Sequence, residues 1–111
     1  MPYSVRLLEP ADRFVRGLQP KMRAKVLRSM ALLAETGPLL GQPHAKAVAG
    51  QRGLRELRVQ LGSDACRLFY FHFRSVTYVV TSGYVKKSQK LDALEVHRAV
   101  RLMHTFLEEN A

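Results

Sequence analysis

The sequence predicts an α+β fold: a short strand, two helices, a three-strand meander and a closing helix. Three observations predict it. Apolar residues recur at helical spacing from Pro20 to Glu35 and again from Asp92 to Glu108. Three runs between Leu54 and Tyr84 are rich in strand-forming residues and are separated by two-residue turn candidates. Helices and hairpin-linked strands are segregated rather than alternating, which distinguishes α+β from α/β. At 111 residues and 47% apolar composition, residues 1–111 read as a single domain with one modest core.

Each element follows from local chemistry. Tyr3 to Leu7 alternates Tyr3, Val5 and Leu7 with Ser4 and Arg6, the two-residue period of a strand. Glu9-Pro10-Ala11-Asp12 breaks it and starts a short helix through Phe14 and Val15. Pro20 suits the first turn of the next helix, where its missing N–H costs nothing. Met22, Val26, Met30 and Leu33 form that helix's apolar stripe, with Arg23, Lys25 and Arg28 toward the rest of its circumference. Gly37-Pro38 ends it. Residues 38–53 hold three Gly and two Pro and read as a long loop, with a helical turn at His44 to Val48. The strands are Leu54 to Leu61, Ala65 to Phe73 and Val76 to Tyr84. Gly62-Ser63 suits a type II′ hairpin turn, and Arg74-Ser75 is a chemically weaker turn. Asp92 is a suitable N-cap for the last helix. The early helices are expected to cover one sheet face and leave the other partly open.

No apolar run reaches the length that spans a bilayer, and the first ten residues lack the apolar segment of a secretory signal. A single cysteine, Cys66, forms no internal disulfide and no thiolate cluster for zinc. A cytoplasmic protein without a membrane partner is the simplest reading. The net charge of +9 points instead to a polyanionic partner. Most of that excess lies between Arg52 and Lys90, where eight Lys and Arg stand against Glu56 and Asp64.

The first turn sets a register. With Gly62-Ser63 as the loop, Arg58 lies opposite Arg67 and Glu56 opposite Phe69. Like charges across a strand pair are destabilising unless solvent or an anion takes them up. With Arg74-Ser75 as the second loop, Ser82 faces Arg67, and Lys86 and Lys87 lie beyond the same end. Arg58, Arg67, Ser82 and the lysines then form a site for a phosphate-sized anion, which arginine's planar fork fits. The bland alternative is a solvated sheet face.

Three segments carry a family resemblance. Gly53-Leu54-Arg55-Glu56-Leu57-Arg58-Val59, then Cys66-Arg67-Leu68-Phe69-Tyr70-Phe71, then Ser82-Gly83-Tyr84-Val85-Lys86-Lys87-Ser88-Gln89-Lys90, resemble the phage-derived HigB-like branch of the RelE/ParE toxin superfamily. Tyr84 stands where Phe is usual and Ser88 where Thr is usual. The resemblance implies a curved antiparallel sheet with an N-terminal strand and two helices packed on it, and a C-terminal helix. It implies a type II toxin that cleaves mRNA in the ribosomal A site, and a cognate antitoxin with a helix-turn-helix domain that neutralises it. The sheet arginines of the family fall on Arg58 and Arg67, and its post-strand lysines on Lys86 and Lys87. ParE-like relatives instead poison DNA gyrase, and an inactive antitoxin- or nucleic-acid-binding member is a third possibility.

The chemistry that would follow is metal-independent. The substrate's own 2′-OH attacks the phosphate, so the enzyme supplies a base, an acid and cations around the pentacoordinate phosphorus. Arg67 is the candidate for charge stabilisation and Arg58 for holding the phosphate. Lys87 or Lys86 is the candidate base or acid, since neighbouring cations push a lysine pKa toward neutrality. Strand alternation admits only one of the two to the site. Tyr84 is a base-stacking residue, a proton donor or ordinary packing near the sheet edge, and Glu56 an orienting partner of Arg58 or a base. Arg55, Ser82 and Lys90 are candidate RNA contacts. No metal and no small-molecule cofactor is expected. His97 and His104 are seven residues apart, not the four of a zinc-binding pair. His44, in the long loop, is within reach of RNA there but reads more simply as a surface residue, His72 as a partly buried strand residue, and Cys66 as a small core residue.

Overall fold

The computed structural model describes residues 2–111. Strand β1 (Ser4–Leu7) leads into helix α1 (Glu9–Arg16), which opens on Pro10 with Glu9 and Asp12 in its first turn and Arg13 and Arg16 in its last. That polarity complements the helix dipole. Helix α2 (Pro20–Thr36) ends at Gly37 in the left-handed region, φ 53°, where the Tyr3 ring lies so close that any Cβ would strike it. A 3₁₀ turn (Gly37–Leu39) follows. The three strands of the meander are β3 (Arg55–Leu61), β4 (Asp64–Arg74) and β5 (Thr77–Val85), preceded by a short β2 (Ala45–Ala47). Helix α3 (Ala93–Glu109) is capped by Asp92, whose carboxylate accepts from the N–H groups of Leu94 and Glu95.

The sheet order is β1-β5-β4-β3-β2. It is antiparallel except at one edge, where β1 joins β5 in parallel. One face packs on α1 and α2: Leu57, Val59, Cys66, Leu68, Tyr70 and Val80 meet Ala11, Val15, Val26, Met30 and Leu33. The other packs on α3, through Leu54, Phe69, Phe71 and Val79 against Val96, Ala99, Met103 and Phe106. The second face is therefore roofed along much of its length rather than left open. Arg6 over the Phe106 ring, at 5.2 Å, and Arg74 donating to the Asn110 carbonyl at 2.7 Å anchor the far end of α3.

Two expectations need correction. Residues His44 to Val48 hold a strand, not a helical turn: Ala-Lys-Ala is too short to show a period, and it forms because β3 offers a free edge. The β3–β4 register is as read, with Arg58 opposite Arg67 and Glu56 opposite Phe69. The β4–β5 register is not. The turn falls one residue later, at Ser75-Val76, with Ser75 at φ 49°, and irregularities follow Phe69 and His72. Tyr84, not Ser82, lies opposite Arg67. Gly62, at φ 62°, supplies the conformation a type II′ turn requires, so the first hairpin is locked. The second turn has no such residue, and bulges absorb the difference.

Candidate active site

Cross-strand partners share a sheet face, so the register builds the site row by row. One row is Lys46, Glu56, Phe69 and Ser82; the next is Arg58, Arg67 and Tyr84. Lys86 continues Tyr84's face two residues on. Its backbone N–H donates to the Ala65 carbonyl at 2.8 Å, which extends the ladder beyond β5.

At the centre stands a buried carboxylate. Glu56 is 5% exposed and Arg67 6%. The Nε atoms of Arg58 and Arg67 each lie 3.6 Å from the same Glu56 oxygen, Oε1. These are charge contacts, too long for hydrogen bonds. Arg67 Nη1 donates to the Cys66 carbonyl at 3.0 Å, but Arg67 Nε and Glu56 Oε2 are buried without a hydrogen-bond partner. Buried polar atoms are otherwise almost always satisfied, and such exceptions cluster at functional sites. One carboxylate shared by two guanidinium groups leaves a net positive centre with donor capacity unspent.

Lys86 adjoins this centre. Partial burial lowers its ammonium pKa below the ordinary lysine value; Arg67, Arg58 and Lys46 lower it further, and Glu56 opposes them. Burial pushes the Cys66 thiol up, against the pull of Arg67, so it is not a thiolate nucleophile. Burial likewise raises the Tyr84 phenol.

A cavity of about 500 Å³ opens beside the arginines. Arg58, Arg67 and His44 line one side, and Lys25, Arg28 and Ser29 of α2 the other. It lies where β2 stops and the β3 edge is uncovered, and there the Arg58 N–H donates to the His44 carbonyl at 2.8 Å.

The structure thus brings together Arg58, Arg67, Glu56 and Lys86 and separates the other candidates. Lys87, Ser88 and Lys90 line a different cavity of about 310 Å³ with Tyr84, Asp92 and Glu95, because the chain turns toward α3 after Lys86. Ser82 is fully buried opposite Phe69, beside the Thr81 hydroxyl at 3.3 Å, and out of reach of RNA. Tyr84 is a core residue: its ring stacks on Phe69 with centroids 5.9 Å apart, and its hydroxyl accepts from the Asp92 N–H at 3.3 Å. Arg55 points to the α2 face, where it donates to the Tyr70 hydroxyl and the Leu40 carbonyl. His72 is exposed and its Nε2 lies 2.7 Å from the Ser75 carbonyl oxygen. Lys25, Arg28 and His44 had not been assigned to the site from sequence. The one available signal was that Lys21, Lys25 and Arg28 recur on a single helix stripe. Among the described residues, no group of three or more His, Cys, Asp and Glu side chains is placed to hold a metal ion, and no helix is long and apolar enough to cross a membrane.

Residues 13–104 match the family described as phage derived protein Gp49-like (DUF891). The chain belongs to that family. No curated protein matches this Gp49-like chain in sequence. Its fold is that of RelE toxins. A mutant of Escherichia coli toxin RelE in the free state, carrying two arginine-to-alanine changes, is 22% identical, with a TM-score of 0.65 over 91% of this chain and 97% of that one. RelE in the intact E. coli RelBE toxin–antitoxin complex is 20% identical, with a TM-score of 0.56 over 79% and 99%. The RelE–RelB complex of Pyrococcus horikoshii gives 15%, with a TM-score of 0.55 over 82% and 100%.

Proposed function

We propose that this Gp49-like protein is a single-domain, cytoplasmic toxin of a type II toxin–antitoxin pair, in the HigB-like branch. In this reading it cuts mRNA on the ribosome without a metal ion. One observation carries the chemistry: Arg58 and Arg67 share the Glu56 carboxylate beside Lys86, at the mouth of a cavity. Two of the RelE chains of like fold were solved in complex with an antitoxin, which supports a cognate antitoxin here; its helix-turn-helix type rests on the sequence resemblance alone.

The scissile phosphate binds Arg58, and Arg67 meets the charge that grows on its non-bridging oxygens as the 2′-oxygen attacks phosphorus. The 2′-oxygen–phosphorus bond forms, the phosphorus–5′-oxygen bond breaks, and the products are a 2′,3′-cyclic phosphate and a 5′-hydroxyl. The 2′-OH proton leaves to a base, and a proton arrives at the 5′-oxygen. Lys86 is the candidate for one of these transfers; its strand position two residues beyond Tyr84, and a lowered ammonium pKa that lets it cycle between its two forms nearer neutrality, support that role. Glu56 acts as a positioning residue that holds both guanidinium groups while the site is empty of substrate.

Induced expression in a bacterial host tests this reading. Growth arrest should accompany mRNA fragments with 2′,3′-cyclic phosphate and 5′-hydroxyl ends. Arrest with intact mRNA and broken DNA would replace it with gyrase poisoning.

A further inference from the structure

The cavity is much larger than a phosphate. About 500 Å³ is within the range that encloses an organic ligand of drug size. Its two walls are charged alike: Arg58 and Arg67 on the sheet side, Lys25 and Arg28 on the α2 side. The sheet-side cations share the Glu56 carboxylate; the α2 cations share none. Among the described residues, neither Lys25 nor Arg28 forms an ion pair or a side-chain hydrogen bond, and the Ser29 hydroxyl is equally unengaged. The only acidic residue of α2 is Glu35, near its far end. Lys21, Lys25 and Arg28 stand four and three residues apart, a spacing at which like charges on a helix destabilise it. The stripe therefore costs helix stability and recovers none inside the fold.

Resting on the RNA reading above, we infer that the α2 wall is a second phosphate subsite. Lys25, Arg28 and Ser29 hold the phosphodiester next to the scissile one on the same single strand, and the nucleotide between them occupies the cavity. The enzyme then takes a strand with at least two phosphodiesters, and the α2 wall supplies binding rather than chemistry.

The test uses uncleavable 2′-O-methyl RNA, so it does not depend on whether the protein cuts. A dinucleotide carries one phosphodiester and a hexanucleotide five. For K25A/R28A, hexanucleotide affinity should fall about tenfold. The slope of log affinity against log salt should shrink by about 1.4, the value for two lost contacts to a single strand. Dinucleotide affinity should stay within about twofold. The charge-preserving swap K25R/R28K should keep the wild-type slope, which separates lost charge from a disturbed helix. An unchanged hexanucleotide slope, or equal losses for both lengths, overturns the subsite. If the hexanucleotide is unaffected while affinity for ribosomes falls, the phosphates belong to ribosomal RNA and the same-strand assignment is overturned. If the protein cuts no RNA yet shows the length-dependent loss, the subsite stands and the nuclease reading falls.

Discussion

The two faces of the sheet are both roofed by helices, yet they are closed in different ways. Against α1 and α2 the centre of the face is sealed with hydrocarbon, and the cavity opens only at its β3 edge: Leu57 and Leu68 are fully buried on Val26 and Leu33, with no ion pair among them. Against α3 the apolar contact runs through Phe69 and Phe71 and ends at the row of Arg58, Arg67 and Tyr84. There a carboxylate and a guanidinium are buried with unpaired atoms. A sealed face lowers the free energy of the fold. A buried charge cluster with poor hydrogen bonding raises it, and a fold keeps such a cluster where function needs it.

The contrast between the faces is largest at Arg67. R67A leaves Glu56 buried with only Arg58 at 3.6 Å, and breaking a buried pair costs about 3–5 kcal/mol. The same change should remove at least a factor of about 10²–10³ in cleavage rate, as for lost transition-state charge stabilisation. The two effects separate in the double variant E56Q/R67M, which deletes both charges. Its urea midpoint should return most of the way to wild type while cleavage stays lost. A double variant that still cuts mRNA removes Arg67 from the chemistry.

Leu57→Ala supplies the control on the other face. Leu57 neighbours Glu56 and Arg58 in sequence but points into the α2 core, fully buried. The truncation should cost about 2–5 kcal/mol. Below its lowered melting temperature, cleavage per folded molecule should match wild type. Loss of activity in the folded variant would mean that the faces do not act independently.

The two faces also differ in how far the sequence discloses them. The α1 and α2 face was legible because apolar spacing reports burial directly, as at Met22, Val26, Met30 and Leu33. Half of the site was legible because Gly62 fixes one hairpin, and with it the Arg58–Arg67 pair. The rest depended on the second hairpin, whose turn carries Ser75 in the left-handed region instead of a glycine. Its bulges moved Tyr84 into Ser82's expected place, and a single sequence holds no sign of them. Lys25, Arg28 and His44 were missed for another reason. Lys25 and Arg28 reach the cavity from a helix far from β3 and β4 in sequence, and His44 from the residue before β2, a strand too short to show in the sequence; only tertiary packing brings them there.

The finest distinction lies between adjacent lysines. K86M should lower cleavage about 10²–10⁴-fold, the range for a lost acid or base, while K87M should leave it within a few-fold, because Lys87 faces the other cavity. Stability gives an independent readout with a definite sign. The folded protein depresses the Lys86 pKa, so between that value and the unfolded lysine value the unfolded chain binds more protons. Stability therefore rises with pH across this window. Tyr84 and Tyr78 act oppositely. Their phenols are raised in the fold, so above the unfolded tyrosine value the folded state holds more protons and stability falls with pH. The two trends meet near pH 10, which makes the wild-type curve alone uninformative. Subtracting K86M cancels the tyrosines. The difference should favour K86M below the depressed lysine value and close as pH rises through the window. A difference that widens with pH would place Lys86 in an attractive site and remove it as a proton-transfer group near neutrality.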